Sequence, residues 1–216
     1  MVTFVHFRKK TVKICSISAA LLLAIAVVPA YAQSKGDVTL AVGAHQVAPK
    51  SDNGSLAGGA LQVDVGNSAR PTLMLEYFVA DNLGIEAIAA WPFSHDISID
   101  GLGKVGSTKH LPPTISLQYH FNGQGKVSPF VGAGVNYTKF FSEKTSGALA
   151  GADLSLDASW GLAAHAGIDF KVSERSAVRI DARWIDIDTD VSVDGTKLGS
   201  VAIDPLVYGA AWVLKF

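Results

Sequence analysis

The chain has 216 residues, 49% of them hydrophobic, a formal net charge of −1 and one cysteine. Its length suits a single domain, and the lack of a basic surplus argues against a nucleic-acid partner, which calls for a basic face. One cysteine cannot build a disulfide framework.

At the N-terminus, Arg8, Lys9, Lys10 and Lys13 precede an apolar stretch of 15 residues from Ile14 to Val28, and Ala30-Tyr31-Ala32 follows as a small-x-small cleavage site. The pattern predicts a cleaved signal peptide over 1–32 and a mature domain over 33–216. A spanning helix needs about 20 apolar residues, and this stretch is shorter and ends at Pro29. Residues 33–216 hold 14 basic and 19 acidic side chains, a net charge of −5, and no cysteine. They contain no apolar run of about 18 residues or more, so their apolar content must be spread by alternation, as in membrane barrels.

Eight strands are predicted, over 36–47, 70–79, 83–93, 114–122, 128–141, 157–171, 176–187 and 204–216. Successive side chains of a strand point to opposite faces. In the third, Leu83, Ile85, Ala87, Ala89 and Trp91 oppose Gly84 and Glu86. In the fourth, Ile115, Leu117, Tyr119 and Phe121 oppose Thr114, Ser116, Gln118 and His120. The sixth sets Trp160, Leu162, Ile168 and Phe170 against Ser159, His165 and Asp169. The seventh sets Val178, Ile180 and Trp184 against Arg179, Asp181 and Arg183. A soluble sandwich would show the same parity with the apolar face inward. The signal peptide, aromatics near strand ends and a terminal Phe216 favour lipid. Three short turns, 80–82, 123–127 and 172–175, alternate with four long loops, 48–69, 94–113, 142–156 and 188–203. The first of these loops is rich in glycine and is expected to be mobile. The expected fold is all-β, an eight-stranded antiparallel transmembrane β-barrel. A closed barrel has no free edge, so a monomer is expected.

In the last strand Tyr208, Trp212 and Phe216 share the greasy face. This ending resembles the signal by which the bacterial barrel assembly machinery recognises its substrates. Further blocks are Leu73 to Ile97, His110-Leu111-Pro112-Pro113-Thr114, Pro129 to Thr138, Ser159-Trp160-Gly161, Trp184 to Thr189 and Ile203-Asp204-Pro205. Together they resemble the outer membrane protein W (OmpW) family. The resemblance covers essentially the whole mature chain. It implies an eight-stranded barrel in the outer membrane of a Gram-negative bacterium, with a narrow, largely apolar interior that admits small hydrophobic molecules. It also implies a colicin-receptor role in some bacteria. The first loop departs most from the family, so ligand preference and colicin recognition do not transfer.

An eight-stranded barrel leaves an interior barely wide enough for side chains or one small ligand. Glu76, Glu86, Asp169, Arg179, Asp181, Arg183 and Lys215 are expected to point into it, either as a polar constriction or as an ion network that fills the lumen. Met74, Phe78, Leu111 and Pro112 could line a greasy path above that network, or merely pack the upper barrel. Prolines near strand ends could let strands part and release a solute sideways into lipid, or simply terminate strands. Asp186, Asp188 and Asp190 alternate, either as ligands for Ca²⁺ with lipopolysaccharide phosphates or as a solvated strand end. The histidines are scattered, and neither a metal site nor a cofactor is indicated. Ser159, His165 and Asp169 share a face, but it is the lumen face, so lipid hydrolysis is not expected. The expected function is passive passage of small hydrophobic molecules, with outer-membrane lipids and lipopolysaccharide as surroundings. The alternative is a non-transporting barrel whose outer loops bind colicin, phage or lipopolysaccharide.

Overall fold

The structure is a computed structural model and describes residues 33–216. The predicted signal peptide over 1–32 lies outside the described residues.

Eight strands form the staves: β1 (Val38–Ala48), β4 (Ser68–Ala80), β5 (Leu83–Ala90), β8 (Thr114–His120), β9 (Val127–Thr145), β11 (Ser159–Ser173), β12 (Ser176–Ile185) and β15 (Leu206–Lys215). Each pairs antiparallel with the stave before it and the stave after it. The ring closes where β15 meets β1, with Thr39 opposite Lys215 and Ala48 opposite Leu206.

Alternation along each stave decides what faces where. Val42, Leu73, Leu75, Ile85, Ile115, Leu117, Val135, Leu162 and Ile180 all lie exposed on the outer wall. A contiguous apolar surface of this kind far exceeds the few hundred Å² a soluble monomer tolerates. Lipid therefore covers it, which settles what parity alone could not. Aromatics band the wall at two levels. Trp91, Tyr137, Trp160 and Trp184 stand near one end, with Tyr137 and Trp160 rings 4.7 Å apart. Tyr119 and Phe121 pack edge-on at 5.3 Å near the other, alongside Phe170, Trp212 and Phe216. That second end carries the short turns and is the periplasmic one.

The four predicted loops are largely strand. Above the upper band, residues 139–145 of β9 continue upward and pair with β7 (Gly103–Leu111). Beyond it come β6 (Phe93–Ile99), β3 (Leu61–Val65) and β2 (Ser55–Leu56). A second, three-stranded sheet joins β10 (Leu154–Leu156), β13 (Asp188–Val193) and β14 (Thr196–Ala202). The reason is a second apolar core, not the membrane. Leu56, Val63, Phe93, Phe140, Leu154, Ile187, Val191 and Val201 bury one another in this collar. The glycine-rich stretch is tied in through Asn53, which is fully buried. Its Nδ2 donates to the Ala202 carbonyl at 3.0 Å and its Oδ1 accepts from the Val65 amide at 3.0 Å.

Candidate functional site

The lumen is crossed by a buried ion network. Because β12 alternates, Arg179 and Arg183 both point inward, four residues apart along one stave. Arg179 Nε and Nη2 grip Asp169 at 2.7 and 2.9 Å. Its Nη1 donates to Glu86 at 2.9 Å, and Nη2 also lies 3.5 Å from Glu76. Its guanidinium carbon stacks 4.4 Å over the Phe130 ring. Arg183 completes the chain of ions, with Nη2 on Glu86 and Nη1 on Ser116 at 2.5 and 3.3 Å. Buried charges need partners of this quality, because desolvation otherwise exceeds their attraction.

Neutral and titratable side chains complete the plug. Gln118 Nε2 donates to Glu76 at 3.0 Å, and Gln118 Oε1 accepts from His165 Nε2 at 2.8 Å. His120 Nε2 lies 3.1 Å from the other Glu76 oxygen. Asp181 is held by His45 Nε2 at 3.0 Å rather than by either arginine, while His45 Nδ1 meets Thr72 at 2.6 Å. Two glycines make room. A Cβ on Gly84 would come within 2.2 Å of Glu76 Oε1, and one on Gly132 within 2.3 Å of His165 Nε2.

Two hollows flank the plug. Above it lies a small apolar cavity of about 20 Å³, bounded by Val47, Ile88, Phe93, Pro112 and Val207, with Arg183 also on its wall. Ala89 and Ala90 of β5 line it too. There the pairing of β5 with β8 stops at Ile88 opposite Thr114, because Pro112 and Pro113 interrupt the partner. Below the plug a vestibule of about 520 Å³ opens toward the periplasmic turns, with Lys126, Lys171 and Arg175 on its wall, and reaches up to Asp169.

Of the predicted network, Glu76, Glu86, Asp169, Arg179 and Arg183 meet in one cluster, with Asp181 beside it. Lys215 does not join. It is half-buried at the periplasmic rim and pairs with Asp37 at 2.6 Å. Of the predicted greasy path, Met74 is buried above Glu76, against Ala41 and Ile88, and Pro112 borders the upper cavity. Phe78 lies off the expected path. It is buried below Glu76 on the downward β4, its ring 5.4 Å from His120, near the periplasmic turn. Leu111 is half-buried and alternates with inward His110, so it faces away from the lumen. His45, Ser116, Gln118, His120, Phe130 and His165 join the plug without having been among the predicted network residues. Parity on their own staves was the available signal. Tyr208, Trp212 and Phe216 all project from the outer wall.

Other candidates separate. Ser159 accepts from the Asp188 amide at 3.1 Å, while His165 and Asp169 are engaged in the plug, so the three assemble no triad. Asp190 is taken by Lys197 and Ser200 on the collar. Burial and the nearby Asp204 and Asp186 raise the Asp188 carboxyl above its usual range.

One further pair sits in the collar, outside the membrane-spanning segments. His95 Nδ1 donates to the Gly66 carbonyl at 2.5 Å, and its Nε2 lies 3.0 Å from His110 Nε2. His110 stacks on Phe140 at 5.7 Å. Burial, then the field of His95, pushes His110 down to about 3. Burial also lowers His95. An unfolded histidine takes its proton near 6.5. As pH falls from there toward 3, the unfolded collar binds protons that the folded one refuses, and stability drains away. Amide exchange in β6 and β7, corrected for intrinsic rate, should therefore accelerate between pH 7 and pH 4 while the staves hold. Equal protection at both pH values would refute this.

A closed eight-stranded wall, lipid-facing outside and ion-plugged within, defines an outer-membrane β-barrel. The chain belongs to the OmpW family, whose model matches residues 34–216. Outer membrane protein W of Vibrio cholerae is 35% identical over 209 residues, covering 91% of this chain and 96% of that protein. The dibenzothiophene metabolism operon protein PahQ of Pseudomonas aeruginosa is 28% identical over 155 residues, 68% of this chain and 72% of its own. The crystal structure of OprG from Pseudomonas aeruginosa superposes with a TM-score of 0.76 at 31% identity, covering 88% of this chain and 99% of OprG. The protein resides in the outer membrane of a Gram-negative bacterium.

Proposed function

We propose that the barrel gives small hydrophobic molecules a passive route from the outer surface into the membrane. The observation that carries this is the apolar cavity lying above the buried ion network and beside Ala89, Ala90 and Pro112, where the pairing of β5 with β8 has ended. Each apolar Å² removed from water stabilises a solute by about 25 cal/mol, so an apolar hollow favours its capture. The charged network below opposes further descent, since an apolar solute offers those ions nothing in return for their bonds. The easier exit is sideways, where Pro112 and Pro113 supply no ladder donor. A relative named for a dibenzothiophene metabolism operon supports an apolar cargo. We read Tyr208, Trp212 and Phe216 as the face presented to the assembly machinery, and lipopolysaccharide as the lipid meeting the upper aromatic band.

Uptake of an apolar fluorescent probe into liposomes, with and without the purified barrel, tests the route. Ala90→Cys with Pro112→Cys introduces the only two thiols within residues 33–216. Their disulfide should abolish barrel-dependent uptake, and reductant should restore it. Uptake that persists when the pair is oxidised would sink the lateral exit. No barrel-dependent uptake at all would shift the reading to a surface receptor built on the collar.

A further inference from the structure

We propose that Arg183 and His165 form a hydroxyl-recognising anchor at the top of the plug, so that the preferred cargo is a small alcohol or phenol. This rests on the passage reading above and names its substrate class. The two residues are direct cross-strand partners on β12 and β11. Both are at least nine-tenths buried. Arg183 spends its Nη1 and Nη2 on Ser116 and Glu86, and its Nε–H has no acceptor among the described residues.

The state of His165 follows from its neighbours. Gln118 must direct its amide nitrogen at Glu76, because a carboxylate only accepts. Its amide oxygen therefore faces His165 Nε2, and that nitrogen must carry the hydrogen. In the neutral ring the other nitrogen, Nδ1, then holds a lone pair, and it too has no partner among the described residues. One buried donor and one buried acceptor thus stand on neighbouring staves at the same register.

A hydroxyl answers both at once, accepting from Arg183 Nε–H and donating to His165 Nδ1. A carboxylate cannot donate, an ammonium cannot accept, and a hydrocarbon does neither. Val47, Ile88, Phe93 and Val207 supply apolar walls above Arg183 for the rest of the solute. The resting cavity, about 20 Å³, has room for about one water. A larger molecule enters only as the edge at Pro112 parts.

The test uses the purified barrel in lipid nanodiscs with ¹⁵N-labelled histidine, and a matched pair of probes. p-Cresol and p-xylene differ by a hydroxyl in place of a methyl. p-Cresol should shift the His165 Nδ1 resonance and p-xylene should not. In liposomes p-cresol should compete with the fluorescent probe at concentrations about tenfold lower than p-xylene. That preference should vanish in His165→Phe and return in His165→Asn, whose amide oxygen accepts. Circular dichroism would verify folding, and if His165→Phe does not fold, the wild-type resonance decides. Equal competition by both probes with no Nδ1 shift would overturn the anchor and leave hydrophobic passage standing. An Nδ1 shift without any probe uptake would keep the anchor and overturn passage. A resonance indifferent to p-cresol means a trapped water only, which also overturns it.

Discussion

Arg179→Met should cost the barrel about 3–5 kcal/mol, the range for removing one member of a buried ion network. The reason is what remains. Asp169, Glu86 and Glu76 all lean on this one guanidinium. Without it three carboxylates share a space with a single remaining guanidinium, Arg183, and that group reaches only Glu86. Water must enter to solvate them. The denaturant midpoint in lipid should fall, and steady ionic conductance across a planar bilayer should rise with a preference for cations. A variant with an unchanged midpoint and a silent bilayer would show that the arginine is not what seals the lumen. Replacing Arg179 and its carboxylate partners together by apolar residues of matched volume should recover much of the loss, because such swaps are often neutral.

Leu117→Arg probes the opposite face. Leu117 is half-exposed on the outer wall at the middle of β8, between Ile85 and Ala133 on the adjoining staves. An arginine facing lipid at this depth costs roughly 2–4 kcal/mol. The same change on a water-facing sheet would stay within about 0.5 kcal/mol. Unfolding titrations in phospholipid bilayers separate the two. A stability equal to the parent's would mean that this wall does not face hydrocarbon, and the membrane assignment would fall with it.

The staves and the plug were legible in the sequence for one reason. A strand's period of two is rigid, so a charge such as Arg179, two places from Asp181 and four from Arg183, reveals its face without any structure. Depth along the barrel was not legible. Phe78 has the parity of Met74 and Glu76, yet it sits below the plug, because level is set by the stagger between neighbouring staves. Lys215 fails for the same cause: it faces inward but at the rim. Leu111 departs from expectation because the proline pair breaks the alternation between β7 and β8, so parity does not carry across. The collar was hidden more deeply. Its strands are short, and their partners are distant in sequence, as when β3 meets β6 or β10 meets β13. Nothing local announces such pairings, and Asn53, which fastens the first of them to β14, looks in the sequence like an ordinary turn residue.

The join between β15 and β1 gives this molecule an order in time. Almost every other stave pairs with one that precedes it closely along the chain, so hairpins can form as the polypeptide is delivered. The seam cannot. Thr39 waits for Lys215, and the Phe216 amide donates to the Val38 carbonyl at 2.9 Å. Until residues 206–216 arrive, the sheet is an open ribbon with two unsatisfied edges, which lipid cannot hydrate. Closure is thus a single late event rather than a gradual tightening. A chain cut before Leu206 would yield not a smaller barrel but a sheet with bare edges, prone to pair with whatever strand it meets.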